Sequence, residues 1–72
     1  MNDYKTALEI CMKAFELFKP NVQMYSQRGA IYYHLKDYGK AIANYKKAIE
    51  LEPEEDYWRV ILEHIEQENS KD

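Results

Sequence analysis

Cysteine, glycine and proline are scarce in this sequence of 72 residues, and the scarcity of cysteine and of glycine each excludes a structural feature. The single cysteine, Cys11, cannot form a disulfide within the chain, which favours a reducing, cytoplasmic location. Two glycines, Gly29 and Gly39, are too few for a glycine-rich phosphate loop. The two prolines, Pro20 and Pro53, interrupt helical patterns and mark the ends of segments.

Long apolar runs and an excess of positive charge are also missing. No stretch approaches the roughly 20 apolar residues that a membrane span needs. The first residues carry no basic segment that leads into an apolar run of signal-peptide length. The 13 acidic residues outnumber the 10 basic ones, which gives a formal net charge of -3. We therefore expect neither nucleic acid nor a membrane as a partner.

Patterns for catalysis and metal binding are equally sparse. The only histidines are His34 and His64, and His64 with Glu68 four residues later makes a weak metal-type pair. Cys11 falls on an apolar segment, so we predict a buried thiol that is not a nucleophile. Ser26 has no histidine and acid around it in a triad pattern. We expect no enzyme activity, no catalytic or metal-binding residues and no cofactor.

Four segments have helical periodicity, at about residues 3–19, 22–35, 38–52 and 54–69. In each of them apolar residues recur at spacings of three and four, and no run alternates as a strand would. Asp3 and Asp37 stand where helix caps are expected. The sequence therefore predicts an all-α fold of antiparallel helix-turn-helix units, a fragment of an α-solenoid.

The sequence also repeats itself at an offset of 34 residues. Two segments return: Asp3-Tyr4-x-x-Ala7 as Asp37-Tyr38-x-x-Ala41, and Lys13-Ala14-x-Glu16-Leu17 as Lys47-Ala48-x-Glu50-Leu51. A period of this length is typical of stacked helical repeats, in which each unit buries its apolar face against the next. Such an architecture predicts a binding scaffold and not a catalyst.

A denser motif lies in the middle of the chain. It reads Tyr25-x-x-Arg28-Gly29-x-x-Tyr32, then Ala41-x-x-x-Tyr45-x-x-Ala48, then Pro53. This motif resembles the tetratricopeptide repeat family, whose pattern is an aromatic residue, Leu-Gly, Tyr, Ala, Phe and a closing Pro. The resemblance implies one complete repeat at about residues 22–55, in which Gly29 lets two helices approach closely. Arg28 departs from the pattern, and we predict that its guanidinium reaches solvent or a carboxylate.

The resemblance extends to both flanks of this repeat and implies a single domain over residues 1–72. Residues 1–20 resemble the second helix of an incomplete repeat, and residues 21–53 a complete one. Residues 54–72 resemble a terminal, capping-type helix with a short polar tail. The apolar stripe of this last helix is one residue out of register, and Glu63 stands where the repeat has glycine.

In this family the first helix of each repeat lines a concave groove that holds a peptide or partner protein. The resemblance implies eight contact residues: Gln23, Ser26, Gln27, Ala30, Tyr33, His34, Tyr57 and His64. Gln23 and Gln27 would hydrogen-bond an extended peptide, and Tyr33 would stack on it. The alternative is that these residues form only a solvated polar face.

One subclass of the family clamps the acidic C-terminal tails of chaperones through lysine, asparagine and arginine side chains. Gln27 stands at its asparagine position, and Tyr57 and Ile61 stand at its basic positions. The chaperone acidic-tail clamp is therefore not supported, and the identity of the protein or peptide partner stays open.

The first helix is unusually apolar. Between Ala7 and Phe18, nine of twelve residues are apolar, which is too many for one buried stripe. The partner helix of its own repeat would precede the sequence. Either the chain is a fragment of a longer array, or a second copy covers the helix through Leu8, Met12 and Phe15. The main hypothesis is thus a non-catalytic adaptor or scaffold, and the alternative is an assembly module that self-associates as a homodimer.

Overall fold

The computed structural model describes residues 3–71. Its four helices run over Tyr4–Leu17 (α1), Val22–His34 (α2), Tyr38–Leu51 (α3) and Asp56–Asn69 (α4). The described residues contain no strand, so the predicted all-α fold is confirmed. Each helix begins and ends within two residues of its predicted bounds. Residues 1, 2 and 72, which belong to the predicted domain, lie outside the described residues.

Polar side chains set the start of each helix. Asp3, Asn21 and Asp37 each accept a hydrogen bond from the backbone N–H three residues later. Glu55 accepts one from the N–H of Tyr57, and α4 therefore begins two residues later than predicted. At the other end of α1, the backbone of Phe18 is extended, with φ −129° and ψ 156°, and the helix stops at Leu17.

The helix bounds follow the 34-residue period of the sequence. The first and last residues of α3 lie 34 positions after those of α1, and α4 begins 34 positions after α2. The turn between α2 and α3 is short because Lys36 adopts the left-handed conformation, with φ 65°. The N–H of Asp37 then donates to the carbonyl of Tyr32 at 2.9 Å, which closes the end of α2. The same aspartate caps α3.

The core is centred on α3, which packs against both α2 and α4, while α1 packs on α2. Ala41 and Ala48 are fully buried, and Tyr45 is nearly so. Gly29 of α2 lies directly against the Tyr45 ring, since a Cβ added there would come within 2.7 Å of Tyr45 Cε2. The predicted role of Gly29 in close helix approach is confirmed.

Arg28 connects three helices, and its surroundings differ from the prediction. Its guanidinium carbon lies 3.8 Å from the centre of the Phe15 ring on α1. Its Nε donates a hydrogen bond of 2.7 Å to Oδ1 of the buried Asn44 on α3. The guanidinium thus meets an aromatic ring and an amide oxygen and not the carboxylate that was one of the two predicted alternatives, while Arg28 remains partly exposed to solvent. The reason is that the ring face and the amide oxygen both attract the cation at short range.

Candidate functional site

Two parallel rows of side chains run along α2 and α4. The α2 row is Gln23, Ser26, Ala30 and Tyr33, and the α4 row is Tyr57, Val60 and His64. Within each row the spacings of three and four place the side chains on one side of the helix. We call these seven residues the α2–α4 face. Gln23, Ser26 and Ala30 stand 34 positions before Tyr57, Val60 and His64, so the rows are equivalent positions of successive units.

The two rows meet at Tyr33 and His64. The Tyr33 hydroxyl lies 3.4 Å from Nε2 of His64, and either group donates the hydrogen bond according to the histidine tautomer. The two ring centres are 6.1 Å apart. Toward the start of α2, the Ser26 hydroxyl donates to the carbonyl of Gln23 at 3.0 Å, so the hydroxyl is left as an acceptor for an outside donor.

Large apolar side chains in the α4 row are open to solvent. Tyr57 is 61% exposed and Val60 is 64% exposed, and Tyr57 leans edge-on against Trp58. Trp58 itself is held inward, because its indole N–H donates to Glu52 at 3.0 Å. Sequence reasoning included Tyr57 but missed Val60. The signal was available, since Val60 is 34 residues after the candidate Ser26.

No residue of the α2–α4 face is a lysine, arginine, aspartate or glutamate. One charged pair lies beyond its end, where Lys71 Nζ is 3.0 Å from Glu68 Oε2. That ammonium group lowers the pKa of the Glu68 carboxyl, and the carboxylate raises the pKa of Lys71. Another pair, Arg59 with Asp56 at 3.1 Å, is formed by the residues that directly precede Val60 and Tyr57 on α4. The face therefore offers aromatic and apolar surface with hydrogen-bonding groups, and carries no fixed charge.

The eight predicted contact residues do not all lie in the same environment in the structure. Tyr33 and His64 are brought together. His34 instead stacks in parallel on Tyr4 of α1, with ring centres 4.6 Å apart and an interplanar angle of 6°. Gln27 faces a depression between α1 and α2. Ala30 lines the same depression and also belongs to the α2–α4 face.

The depression that Gln27 faces has a volume of about 430 Å³, and we call it the α1–α2 groove. Its α1 wall consists of Ala7, Ile10, Cys11 and Ala14. Its α2 wall consists of Met24, Gln27, Ala30 and Ile31. Gln27 is the one strongly polar side chain among them, so the groove is an apolar surface between two helices.

The predicted self-association residues lie on another side of α1. Phe15 packs edge-on against Tyr25, with ring centres 5.0 Å apart, and also lies under Arg28. The Met12 sulfur is 3.4 Å from Nη1 of Arg28. Both side chains thus take part in the contact of α1 with α2. Self-association through Leu8, Met12 and Phe15 stays a hypothesis, although the most exposed apolar side chains of α1 include Ile10 and Leu17.

The Cys11 thiol is half-buried in the wall of the α1–α2 groove and not fully buried as predicted. Burial raises its pKa, and the positive charge of Arg28 opposes this shift in part. The thiol is therefore neutral at ordinary pH, which is unfavourable for a nucleophile. Within residues 3–71, no group of three or more histidine, cysteine or acidic side chains is arranged to hold a metal ion.

None of the helices between residues 3 and 71 combines the length and the apolar character that crossing a membrane requires.

Pairs of antiparallel helices joined by short turns, with bounds that recur every 34 residues, define a helical-repeat protein. The family model of the tetratricopeptide repeat matches residues 22–60, which is more than half of the chain. The chain belongs to the tetratricopeptide repeat family. This family generally mediates protein–protein interaction and is generally non-catalytic. The match covers the whole predicted repeat, although the division into residues 1–20, 21–53 and 54–72 stays a prediction.

A curated relative is similar along most of the chain. Over 65 residues the chain is 31% identical to sperm-associated antigen 1 of Rattus norvegicus. The match covers 90% of this chain but only 7% of that protein. No solved structure matches the chain at a significant level.

Proposed function

We propose that the α2–α4 face binds an extended, uncharged segment of a partner protein. The observation that carries this proposal is the contact between Tyr33 and His64, which joins the α2 row to the α4 row that also carries the exposed side chains of Tyr57 and Val60. Aromatic side chains with a polar tip are favoured at protein interfaces, because they add contact area and still donate or accept hydrogen bonds.

The groups on the face suggest how such a segment is held. The Gln23 amide is exposed and can donate to, and accept from, a peptide backbone. The Ser26 hydroxyl can accept a peptide N–H, and Tyr57 can stack on an apolar or aromatic side chain. Because the face has no fixed charge, we propose a neutral partner segment and not an acidic tail.

This function can be tested with random linear peptides displayed on phage and selected against the purified chain. For a selected peptide, we expect Tyr57→Ala to weaken binding by about five- to thirtyfold, which corresponds to about 1–2 kcal/mol for a central aromatic contact. Raising the ionic strength from about 0.05 M to about 0.5 M should change the affinity less than about twofold. Titration calorimetry measures both effects.

Leu51→Ala is the matched control, because Leu51 is also a large exposed apolar residue but lies at the end of α3. It should leave the affinity unchanged. Equal affinities for the wild-type chain, Tyr57→Ala and the control would contradict the assignment of the face. Circular dichroism of each variant would show that the helices are retained.

A non-catalytic adaptor role follows from the same proposal, since no arrangement of the described side chains suggests a reaction. A cytoplasmic location stays a prediction, and the unpaired Cys11 thiol is compatible with it. Self-association is the weaker alternative, because two of its three predicted residues already contact Arg28.

A further inference from the structure

Met12 of α1 meets the charged side chain of Arg28 on α2. Its sulfur accepts a hydrogen bond of 3.4 Å from Nη1 of Arg28, while Nε of the same arginine donates to Oδ1 of Asn44 at 2.7 Å. A thioether is a weak acceptor, whereas a guanidinium is a strong, charged donor. The contact between α1 and α2 therefore pairs a strong donor with a weak acceptor.

The guanidinium of Arg28 has no better acceptor on this side. Within residues 3–71, none of the ion pairs includes Arg28. The side chain is half-buried, and its guanidinium carbon lies 3.8 Å from the centre of the Phe15 ring. A more polar oxygen in the place of the Met12 sulfur would thus find a charged donor already in position.

The Met12 side chain is accessible from solvent. It is 42% exposed, whereas Met24, the other methionine within residues 3–71, is half-buried in the wall of the α1–α2 groove. The neighbouring Cys11 is a poor competitor for an oxidant. Peroxides react with the thiolate, and burial raises the pKa of the Cys11 thiol and keeps it protonated.

We propose that Met12 is a site of reversible oxidation by hydroperoxides, and that its sulfoxide strengthens the docking of α1 on α2. The sulfur attacks one oxygen of hydrogen peroxide, so that an S–O bond forms and the O–O bond breaks. The sulfur gives up two electrons to the peroxide, and the departing hydroxide takes the proton of the transferred oxygen and leaves as water. A thiol-dependent methionine sulfoxide reductase reverses the step, with the oxygen leaving as water and two thiols becoming a disulfide.

The expected effect on stability is opposite to the usual one. Oxidation of a methionine in a core places a polar oxygen in apolar surroundings and disrupts them. The oxygen on Met12 would stay in contact with water, and the three rotatable bonds of the side chain let it turn toward Nη1 of Arg28. A hydrogen bond from a charged donor to such an oxygen is about twice as strong as one between neutral groups.

Two substitutions test the gain without any oxidant. Met12→Gln places an amide oxygen at a similar reach along the side chain, and Met12→Leu keeps an apolar side chain without an acceptor. We expect the melting temperature of Met12→Gln to exceed that of Met12→Leu by about 2–6 °C, because only glutamine offers Arg28 a strong acceptor. Thermal unfolding followed by circular dichroism measures the difference. Equal melting temperatures, or a lower one for Met12→Gln, would overturn the proposal.

Hydrogen peroxide tests the modification itself. Peptide mass spectrometry should find that Met12 is oxidised at least about threefold faster than Met24, because susceptibility follows exposure. After complete oxidation, the melting temperature of the wild-type chain should rise relative to its reduced form by more than that of Met12→Leu does. The Met12→Leu chain keeps Met1 and Met24, so it corrects for their oxidation. Faster oxidation of Met24, or a fall in the melting temperature relative to this control, would contradict the assignment.

Arg28→Ala shows whether the arginine is the donor. In this background, the change from Met12→Leu to Met12→Gln should no longer raise the melting temperature. A rise as large as that in the presence of Arg28 would overturn the role of the guanidinium. The comparison of Met12→Gln with Met12→Leu in the chain that keeps Arg28 stays decisive if Arg28→Ala is too unstable to fold.

Discussion

Gly29→Ala is expected to lower the free energy of unfolding by about 1–2 kcal/mol, although alanine is the better helix former. The added Cβ would meet Tyr45 Cε2 at 2.7 Å and Cδ2 at 2.9 Å, and the ring has no free space to retreat because it is 5% exposed. The gain in helix propensity offsets only part of this overlap. For a domain of this size, the melting temperature should fall by roughly 5–15 °C.

Gly39→Ala is the matched control, because a Cβ added at Gly39 has no neighbouring atom within 4 Å. Gly39 lies in the first turn of α3 with a negative φ, so alanine fits and should raise stability by about 0.5–1 kcal/mol. Thermal unfolding followed by circular dichroism compares the two variants. If both substitutions stabilised the chain, the close approach of α2 and α3 at Gly29 would be disproved.

Arg28→Ala should cost about 2–3 kcal/mol, which is a large part of the stability of so small a domain. It removes the guanidinium from the Phe15 ring, a contact worth roughly 0.5–2 kcal/mol. It also leaves the buried Asn44 Oδ1 without its donor, which costs roughly 1–3 kcal/mol. Denaturant unfolding measures the loss, and the docking of α1 should weaken most.

Lys13→Ala is the control for Arg28→Ala. It also removes a positive charge from this surface, but it removes no stacked guanidinium. Its Nζ lies 4.0 Å from Glu16, both side chains are mostly exposed, and such pairs are worth less than about 1 kcal/mol. A similar loss of stability in the two variants would argue that charge, and not the stacked guanidinium, holds α1 in place.

The sequence predicted most of the fold because its signals are local. Caps such as Asp3 and Asp37, the prolines and the 34-residue period determined the helix bounds within two residues. Gly29 could also be interpreted correctly, since only a residue without a side chain permits the approach of Tyr45. These features act over short distances along the chain or repeat at a fixed spacing.

The surroundings of the candidate site residues were harder to predict, because they depend on which side of a helix meets which neighbour. The spacing of Gln27 and His34 is compatible with the Tyr33 side of α2, but the packing of α1 placed the two residues elsewhere. The partners of Arg28 were not predicted, because Phe15 and Asn44 are each at least 13 residues away in sequence. Only the tertiary arrangement brings them together.

The central claim is that the α2–α4 face binds the partner segment, separately from the α1–α2 groove. Amide chemical-shift mapping with a selected peptide tests it most directly. We predict the largest shifts at Ser26, Tyr33, Tyr57, Val60 and His64. Shifts concentrated in the α1 wall of the groove, with the α4 row unchanged, would contradict the claim.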